Sequence, residues 1–365
     1  MEQFQWKQLY PQAFSDIDKK TDSFIKIRDI CSDRLYGESS RVPSPWLSVL
    51  IPTFQRDILL QEALQSVLSQ EPVDFSWELI VVDNTPLGED GSTPALNIVR
   101  AIGDIRILYY HNRVNLGSGY NWNRAAELAR GKWLCFLHDD DLLCPNALND
   151  LGRQIRAYCG KKPLGYLHAR AANFSGAFCP KQNRRHYPPE RLTRFGMLLS
   201  GPTGAGAPTC GTVILKAAYM ETGGICYDYA CGADAVLCCQ IMKNYAVICS
   251  DRLLGGYRWK DNESLKKDSL LGMIKADELL SKFLYRQSSF AHIWEKLFGS
   301  AIAWRNIRKK MEIAEKYHVE ITKEEFCGVS LYVEPGICKK CLFEIIYVIY
   351  RLIRRWDGFW QQIKY

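Results

Sequence analysis

No Gly-x-Gly-x-x-Gly follows the first predicted strand of this 365-residue chain, and Gly-x-x-x-x-Gly-Lys-Ser/Thr occurs nowhere in it. Both patterns let backbone amides close around a phosphate, so their absence argues against dinucleotide oxidoreductases and phosphate-loop NTPases. A diphosphate bound here would have to be held chiefly through a metal. The fourteen cysteines also lack zinc spacing: Cys338-Lys-Lys-Cys341 is the one Cys-x-x-Cys, with no second pair. Cys135 falls inside a predicted buried strand and Cys238 adjoins Cys239, which suits reduced, mostly buried thiols better than a disulfide framework. Met1 to Lys20 is polar and mixed in charge, unlike a secretory signal, so a cytoplasmic location is expected. A hydrophobic fraction of 47% and an aromatic fraction of 12% exclude wholesale disorder.

The residues present alternate strand with helix. Leu47–Ile51, Trp77–Val82, Ile105–Tyr110 and Trp133–Leu137 read as short buried strands. Between them, 58–70, 93–102 and 120–130 carry helical patterns, and 115–119 reads as a turn. Near-continuous apolar strands predict an α/β fold whose mostly parallel sheet is covered by helices on both faces. Such sheets bind ligands beyond the carboxyl ends of their strands. The polar residues fall at those ends: Thr53 after the first strand, Asp83 and Asn84 after the second, Asp139, Asp140 and Asp141 after the fourth. Three adjacent carboxylates repel one another unless a cation sits among them, and oxygen-only ligands favour Mg²⁺ or Mn²⁺. An acidic solvated turn is the competing reading of the triplet alone; three polar strand ends on one edge shift the balance to a nucleotide and metal site.

These residues resemble the inverting glycosyltransferases of family 2, which have the GT-A fold. The resemblance rests on Ser48-Val-Leu-Ile-Pro-Thr-Phe54, the 64–70 helix, Glu78-Leu-Ile-Val-Val-Asp-Asn84, Asn115-Leu-Gly117, Asn123, Gly131-Lys-Trp133 and His138-Asp-Asp-Asp-Leu-Leu-Cys-Pro145. It continues through Gly223-Gly-Ile-Cys-Tyr-Asp228, Ala233-Asp234 and Tyr257-Arg258, so that it covers 47–264 in order. It implies a nucleotide-sugar donor, with Pro52, Thr53 and Phe54 at the nucleoside pocket and Asp83 with Asn84 near base and ribose. Asp140 and Asp141 would be the metal and diphosphate acids, Asp141 the foremost direct ligand, with Asp139 beside them. Asp234 would be the general base, and a single displacement would invert the anomeric carbon. Two departures stand out: Asn84 where an acid is frequent, and Ala233 where Glu usually precedes the catalytic acid.

Read as residues alone, Asp234 also suits a helix N-cap, and Arg258 is equally a phosphate partner or a surface cation. His138 suits packing or positioning better than ligation. Gly201–Thr209 reads as a mobile loop near the acceptor or an inert linker. Beyond the 46–264 transferase domain, with 1–45 as an N-terminal extension, helices are expected at 265–285 and 292–317 within a helical region 265–336. The 337–365 segment then forms a basic amphipathic helix. Its apolar residues recur every three or four positions, while Glu344 and Arg351 make it too charged to span a bilayer. Lys339, Lys340, Arg351, Arg354, Arg355 and Lys364 crowd this end of a chain with net charge +7. Contact with an anionic membrane surface and docking on the protein's own core or a partner both explain the stripe; the alternation of basic with apolar residues favours membrane over nucleic acid. The expected function is sugar transfer to a glycan or lipid-linked acceptor in cell-surface polysaccharide synthesis, peripheral on the cytoplasmic membrane face. The alternatives are a catalytically silent sugar-nucleotide-binding or scaffold subunit and a metal-dependent nucleotidyltransferase.

Overall fold

Even- and odd-numbered residues of the central strands enter different cores. In β2 (Leu47–Thr53), β3 (Trp77–Asp83) and β5 (Trp133–Phe136), the residues Leu47, Val49, Ile51, Leu79, Val81, Trp133 and Cys135 join one buried cluster. Leu50, Ile80, Val82, Leu134 and Phe136 join the other. Side chains of a strand alternate faces, so a nearly unbroken apolar run must have a hydrophobic layer on each side. Helices α1 (Asp57–Leu68), α2 (Pro94–Ile102) and α4 (Ala147–Ala157) supply the first layer. The second comes from α3 (Gly117–Leu128), α7 (Lys216–Thr222), α8 (Ala233–Asn244), α9 (Lys267–Arg286) and α10 (Ala291–Lys316).

The computed structural model describes residues 13–19, 21–180, 189–205, 210–259, 265–287, 291–322, 325 and 334–363. Residues 206–209 of the small-residue loop and the junction at 260–264 lie outside the described residues, as do the side chains of Arg351, Arg354 and Arg355 and the whole of Lys364. Among the described residues the sheet has ten strands. Its main path also includes β1 (Ser32–Tyr36), β4 (Ile107–Asn112), β6 (Leu142–Leu143), β7 (Leu164–Phe174), β9 (Thr212–Leu215) and β10 (Ala246–Arg258). They run in the order β1-β4-β3-β2-β5-β9-β7-β10-β6, with β8 (Glu190–Leu192) pairing β10. The β4-β3-β2-β5 run is parallel throughout, as is β7 with β10. This is the mostly parallel, helix-covered sheet expected from the alternation.

Two polar residues interrupt the apolar layer. Ser48 donates to the fully buried Glu78 at 2.7 Å, and Glu78 also takes the backbone N–H and the guanidinium of Arg130. Gly131 follows Arg130, and its amide donates to Ser48 at 2.8 Å. A Cβ at Gly131 would lie 2.5 Å from the Ser48 nitrogen, so only glycine lets the chain enter β5 this close to β2.

Several elements differ from expectation for identifiable reasons. α3 begins at Gly117, not Tyr120, because the Asn115 side chain accepts the Gly117 N–H at 2.8 Å. Part of the small-residue loop is a helical turn, α6 (Pro202–Ala205), following α5 (Arg194–Ser200). Thr203 N–H donates to Asp277 of α9, whose other oxygen holds the buried Lys310 of α10. The N-terminal segment is built into the core: Phe14 and Ile17 belong to the same cluster as α8 and α9, and Arg124 donates to the carbonyls of Ile27 and Ile30.

α11 (Ile337–Ile363) has two apolar stripes. Phe343, Ile346, Tyr347 and Tyr350 pack on the body, where the Arg305 guanidinium lies 3.7 Å from the Tyr347 ring centre. Leu342, Ile345, Val348, Ile349 and Leu352 remain about half exposed. Among the described residues no helix is long and apolar enough to cross a membrane.

Candidate active site

The two-residue strand β6 pairs Leu142 and Leu143 with Gly256 and Gly255 of β10. That pairing sets the acids preceding β6 against Arg258 at the end of β10. The Arg258 N–H donates to Asp141 Oδ1 at 2.8 Å, and its Nε donates to the Asp140 carbonyl at 2.7 Å. Its guanidinium lies over the Phe174 ring and pairs with Glu62 of α1. Arg258 thus holds the acidic turn in place through backbone and side chain together.

The three aspartates have different surroundings. Asp139 accepts from Thr53 Oγ1 at 2.8 Å, linking the β2 and β5 ends. Asp141 is fully buried, with His138 Nδ1 donating to its second oxygen at 2.9 Å. Asp140 is nearly buried; one oxygen pairs with Arg56, and among the described residues none donates a hydrogen bond to the other. Arg56 also stands 3.6 Å from Asp139. It follows Gln55, whose φ of 54° turns the chain back after β2 toward the acids.

Electrostatics reflect the crowding. Burial pushes Asp139 up to about 6 despite Arg56 and the Thr53 hydrogen bond, and burial raises Asp141 against the pull of His138. His138 is pushed up to about 9: burial opposes this, but the Asp141 hydrogen bond and the charges of all three aspartates prevail. The imidazole is therefore a cation at neutral pH, between Trp122 and Tyr257 at ring distances of 5.3 and 6.3 Å.

A hard divalent ion fits this donor set. The acids offer only oxygen, burial raises the proton affinities of Asp139 and Asp141, and Arg56 pairs with Asp139 and Asp140 at their mouth. Among the described residues no three His, Cys, Asp or Glu groups form an all-protein cage. One or two carboxylates with the remaining positions on substrate phosphates is the usual arrangement for Mg²⁺.

The β3 end is arranged differently. Asp83 is fully buried and accepts from Thr85 N–H, Thr93 Oγ1 and Tyr109 Oη at 2.7, 2.9 and 2.6 Å. Asn84 accepts from Asn112 and Leu116 and donates to the Gly117 carbonyl. Both therefore brace the turns around the β3 end, and a cleft of about 480 Å³ opens beside Asn84, lined by Asp33, His111, Asn112 and Arg113 among others. Pro52 and Phe54 are half-buried on either side of Thr53.

Asp234 lies in the first turn of α8, whose N-cap position is Gly232. It is not the cap, and among the described residues none donates a hydrogen bond to its carboxylate. Partial burial pushes it up to about 6, with His138 pulling the other way, so it lies within electrostatic range of the acidic turn. Arg56 and the His138–Asp141 pair were not separable from surface charge by sequence pattern. Only the fold places residue 56 beside residues 139 and 140.

Residues 48–222 match the model for glycosyl transferase family 2. The chain is 37% identical over 124 residues to an uncharacterised Mycobacterium tuberculosis protein, covering 33% of this chain and 37% of that one. It is 36% identical over 125 residues to the GalNAc(5)-diNAcBac-PP-undecaprenol β-1,3-glucosyltransferase of Campylobacter jejuni, covering 34% and 37%. The matches thus span little more than a third of either relative's length. The S. aureus TarS fragment 1–349, solved with UDP-GlcNAc, superposes with a TM-score of 0.52 at 17% identity over 76% of this chain and 77% of that one. The chain carries a glycosyl transferase family 2 domain on a GT-A-type fold.

Proposed function

We propose that the protein transfers a sugar, with inversion, from a nucleotide-sugar to a hydroxyl of a glycan or lipid-linked acceptor. The observation that carries this reading is the acidic turn fixed by Arg258 together with a partly buried Asp234, to which no described residue donates a hydrogen bond and which couples electrostatically to His138 of that turn. Asp140, whose second oxygen receives no hydrogen bond from the described residues, and Asp141, fixed by His138 and the Arg258 N–H, would hold Mn²⁺ or Mg²⁺. When bound, such an ion neutralises charge developing on the departing diphosphate. Thr53 orients Asp139, and Arg258 keeps the turn at a fixed distance from the β10 end. Pro52, Thr53 and Phe54, with the turn braced by Asp83 and Asn84, form the nucleoside side of the cleft. Asp234 accepts the proton of the attacking hydroxyl, a role suited to a carboxylate whose proton affinity burial has raised. Attack from the Asp234 side, opposite the leaving group, inverts the anomeric carbon.

The Campylobacter relative's undecaprenol-linked name supports a lipid-linked acceptor, and the exposed stripe of α11 supports work at a membrane's cytoplasmic face. Cell-surface polysaccharide synthesis is the role this reading implies. Incubating the protein with a panel of nucleotide-sugars and Mn²⁺ should release nucleoside diphosphate. Asp140→Ala and Asp141→Ala should each weaken metal-dependent nucleotide binding tenfold or more by calorimetry. Retention of wild-type affinity in both removes the metal assignment; no release from any donor favours a silent binding subunit.

A further inference from the structure

A tyrosine with 38% of its surface exposed stands seven residues before the candidate base. Tyr227 opens the turn Tyr227–Gly232 that runs directly into α8 and Asp234. Its ring lies on the backbone of Gly119: a Cβ there would come within 1.4 Å of the ring, so no other residue leaves room for it. Its hydroxyl meets Ser118 Oγ at 3.0 Å, and the half-buried Tyr120 ring tilts beside it at 39° with centres 5.3 Å apart. Three consecutive residues of α3 therefore seat this one ring. The turn is held in a costly conformation: Ala230 has φ 42° and ψ −120°, a region that favours glycine. Such strain needs the surrounding packing to maintain it, and Phe14, Tyr229 and Ala276 supply that packing behind the turn.

Resting on the glycosyltransferase reading, we propose that Tyr227 and Tyr120 form a stacking platform for a pyranose ring of the acceptor glycan, which delivers its hydroxyl to Asp234. A pyranose presents a face of C–H groups that packs against an aromatic plane, while its hydroxyls need polar partners at the rim. Here the rim is polar: Ser118, the two phenol hydroxyls and the exposed Asp228. Two rings edged by such groups suit a saccharide better than a lipid chain, which would need a wider aliphatic surface. Burial of its hydroxyl end and the Asp234 charge together push the Tyr227 hydroxyl up to about 12, against the Ser118 hydrogen bond, so the phenol lies within electrostatic range of the candidate base.

The test uses the full-length protein and a set of methyl hexopyranosides as acceptor probes, read by saturation-transfer NMR, with calorimetric binding of nucleoside diphosphate and Mn²⁺ as the second arm. Transfer to the pyranoside C–H protons should be clear in the wild type, persist in Tyr227→Phe, and fall at least fivefold in Tyr227→Leu and Tyr227→Ala. Tyr227→Leu keeps an apolar group against Gly119, so it decides the matter if the alanine variant folds poorly. Nucleotide affinity should stay within about twofold in the leucine variant. Undiminished transfer in Tyr227→Leu, absence of transfer in the wild type, or loss of nucleotide affinity in step with transfer would each overturn the platform. Failure of the underlying reading looks different: no nucleotide-sugar releases diphosphate, whatever the pyranosides show.

Discussion

Asp234 is the residue whose chemistry depends most on its surroundings. Its carboxylate lies partly buried in the first turn of α8 and, among the described residues, has no hydrogen-bond donor, so hydration is reduced and little replaces it. Desolvation disfavours the charged form and raises the pKa to about 6. A general base works only when deprotonated, so acidification through this value should remove activity. With the matching nucleotide-sugar, kcat/KM should fall about tenfold per pH unit below 6 and level off above it. Asp234→Asn should lower kcat by roughly 10²–10⁴-fold while leaving nucleotide affinity in place. A flat rate between pH 5 and 7 would assign the proton to another group. The acids at 139–141 and Asp234 could be proposed from sequence because strand ends and matched motifs mark them. Arg56, His138's bond to Asp141 and the Tyr227 seat were not, since each depends on residues brought together from distant segments.

At the scale of elements, the parallel core is the part that sequence describes well. The near-continuous apolar runs of β2, β3 and β5 dictate two hydrophobic layers, and a register slip of one residue would exchange side chains between them and spoil the packing of both. Glu78 is the exception that local pattern cannot explain: a carboxylate in a buried strand, retained because Ser48 and Arg130 satisfy it. Gly131 makes that arrangement possible. Gly131→Ala pushes a methyl into the Ser48 backbone, and relief requires β2 and β5 to separate. The variant should lose about 1–3 kcal/mol in urea unfolding, the usual range for overpacking a core. An unchanged midpoint would mean that the β5 entry has slack. The helical turn at Pro202 teaches a related lesson. Small residues predict no packed element there, yet Asp277 and Lys310, 74 and 107 residues beyond Thr203, hold its first turn. Local composition carries no sign of such distant partners.

At the scale of the whole molecule, one core runs from Phe14 through the sheet to Phe343, so the segments before and after the transferase domain share its interior. α11 extends this arrangement outward. Its inner stripe is anchored by Phe343 and by Arg305 over Tyr347, while Ile345, Ile349 and Leu352 project from the opposite side, each about half exposed. Sequence periodicity showed an apolar stripe but could not separate core docking from membrane contact; the helix has a stripe for docking and a second one free. With Lys339 exposed and further basic residues along the helix, that face suits an anionic bilayer surface. In flotation assays the protein should rise with phosphatidylcholine vesicles containing phosphatidylglycerol and less with phosphatidylcholine alone, the difference shrinking as salt increases. Ile345→Glu with Ile349→Glu should reduce vesicle binding at least tenfold, since each substitution replaces an apolar contact with a charge repelled by the lipid. Because both side chains already face water, thermal stability should change little. If the double variant floats as well as the wild type, the outer stripe does not meet the bilayer; if it instead converts a dimer to a monomer in size-exclusion chromatography, the stripe belongs to a contact between two copies of the chain.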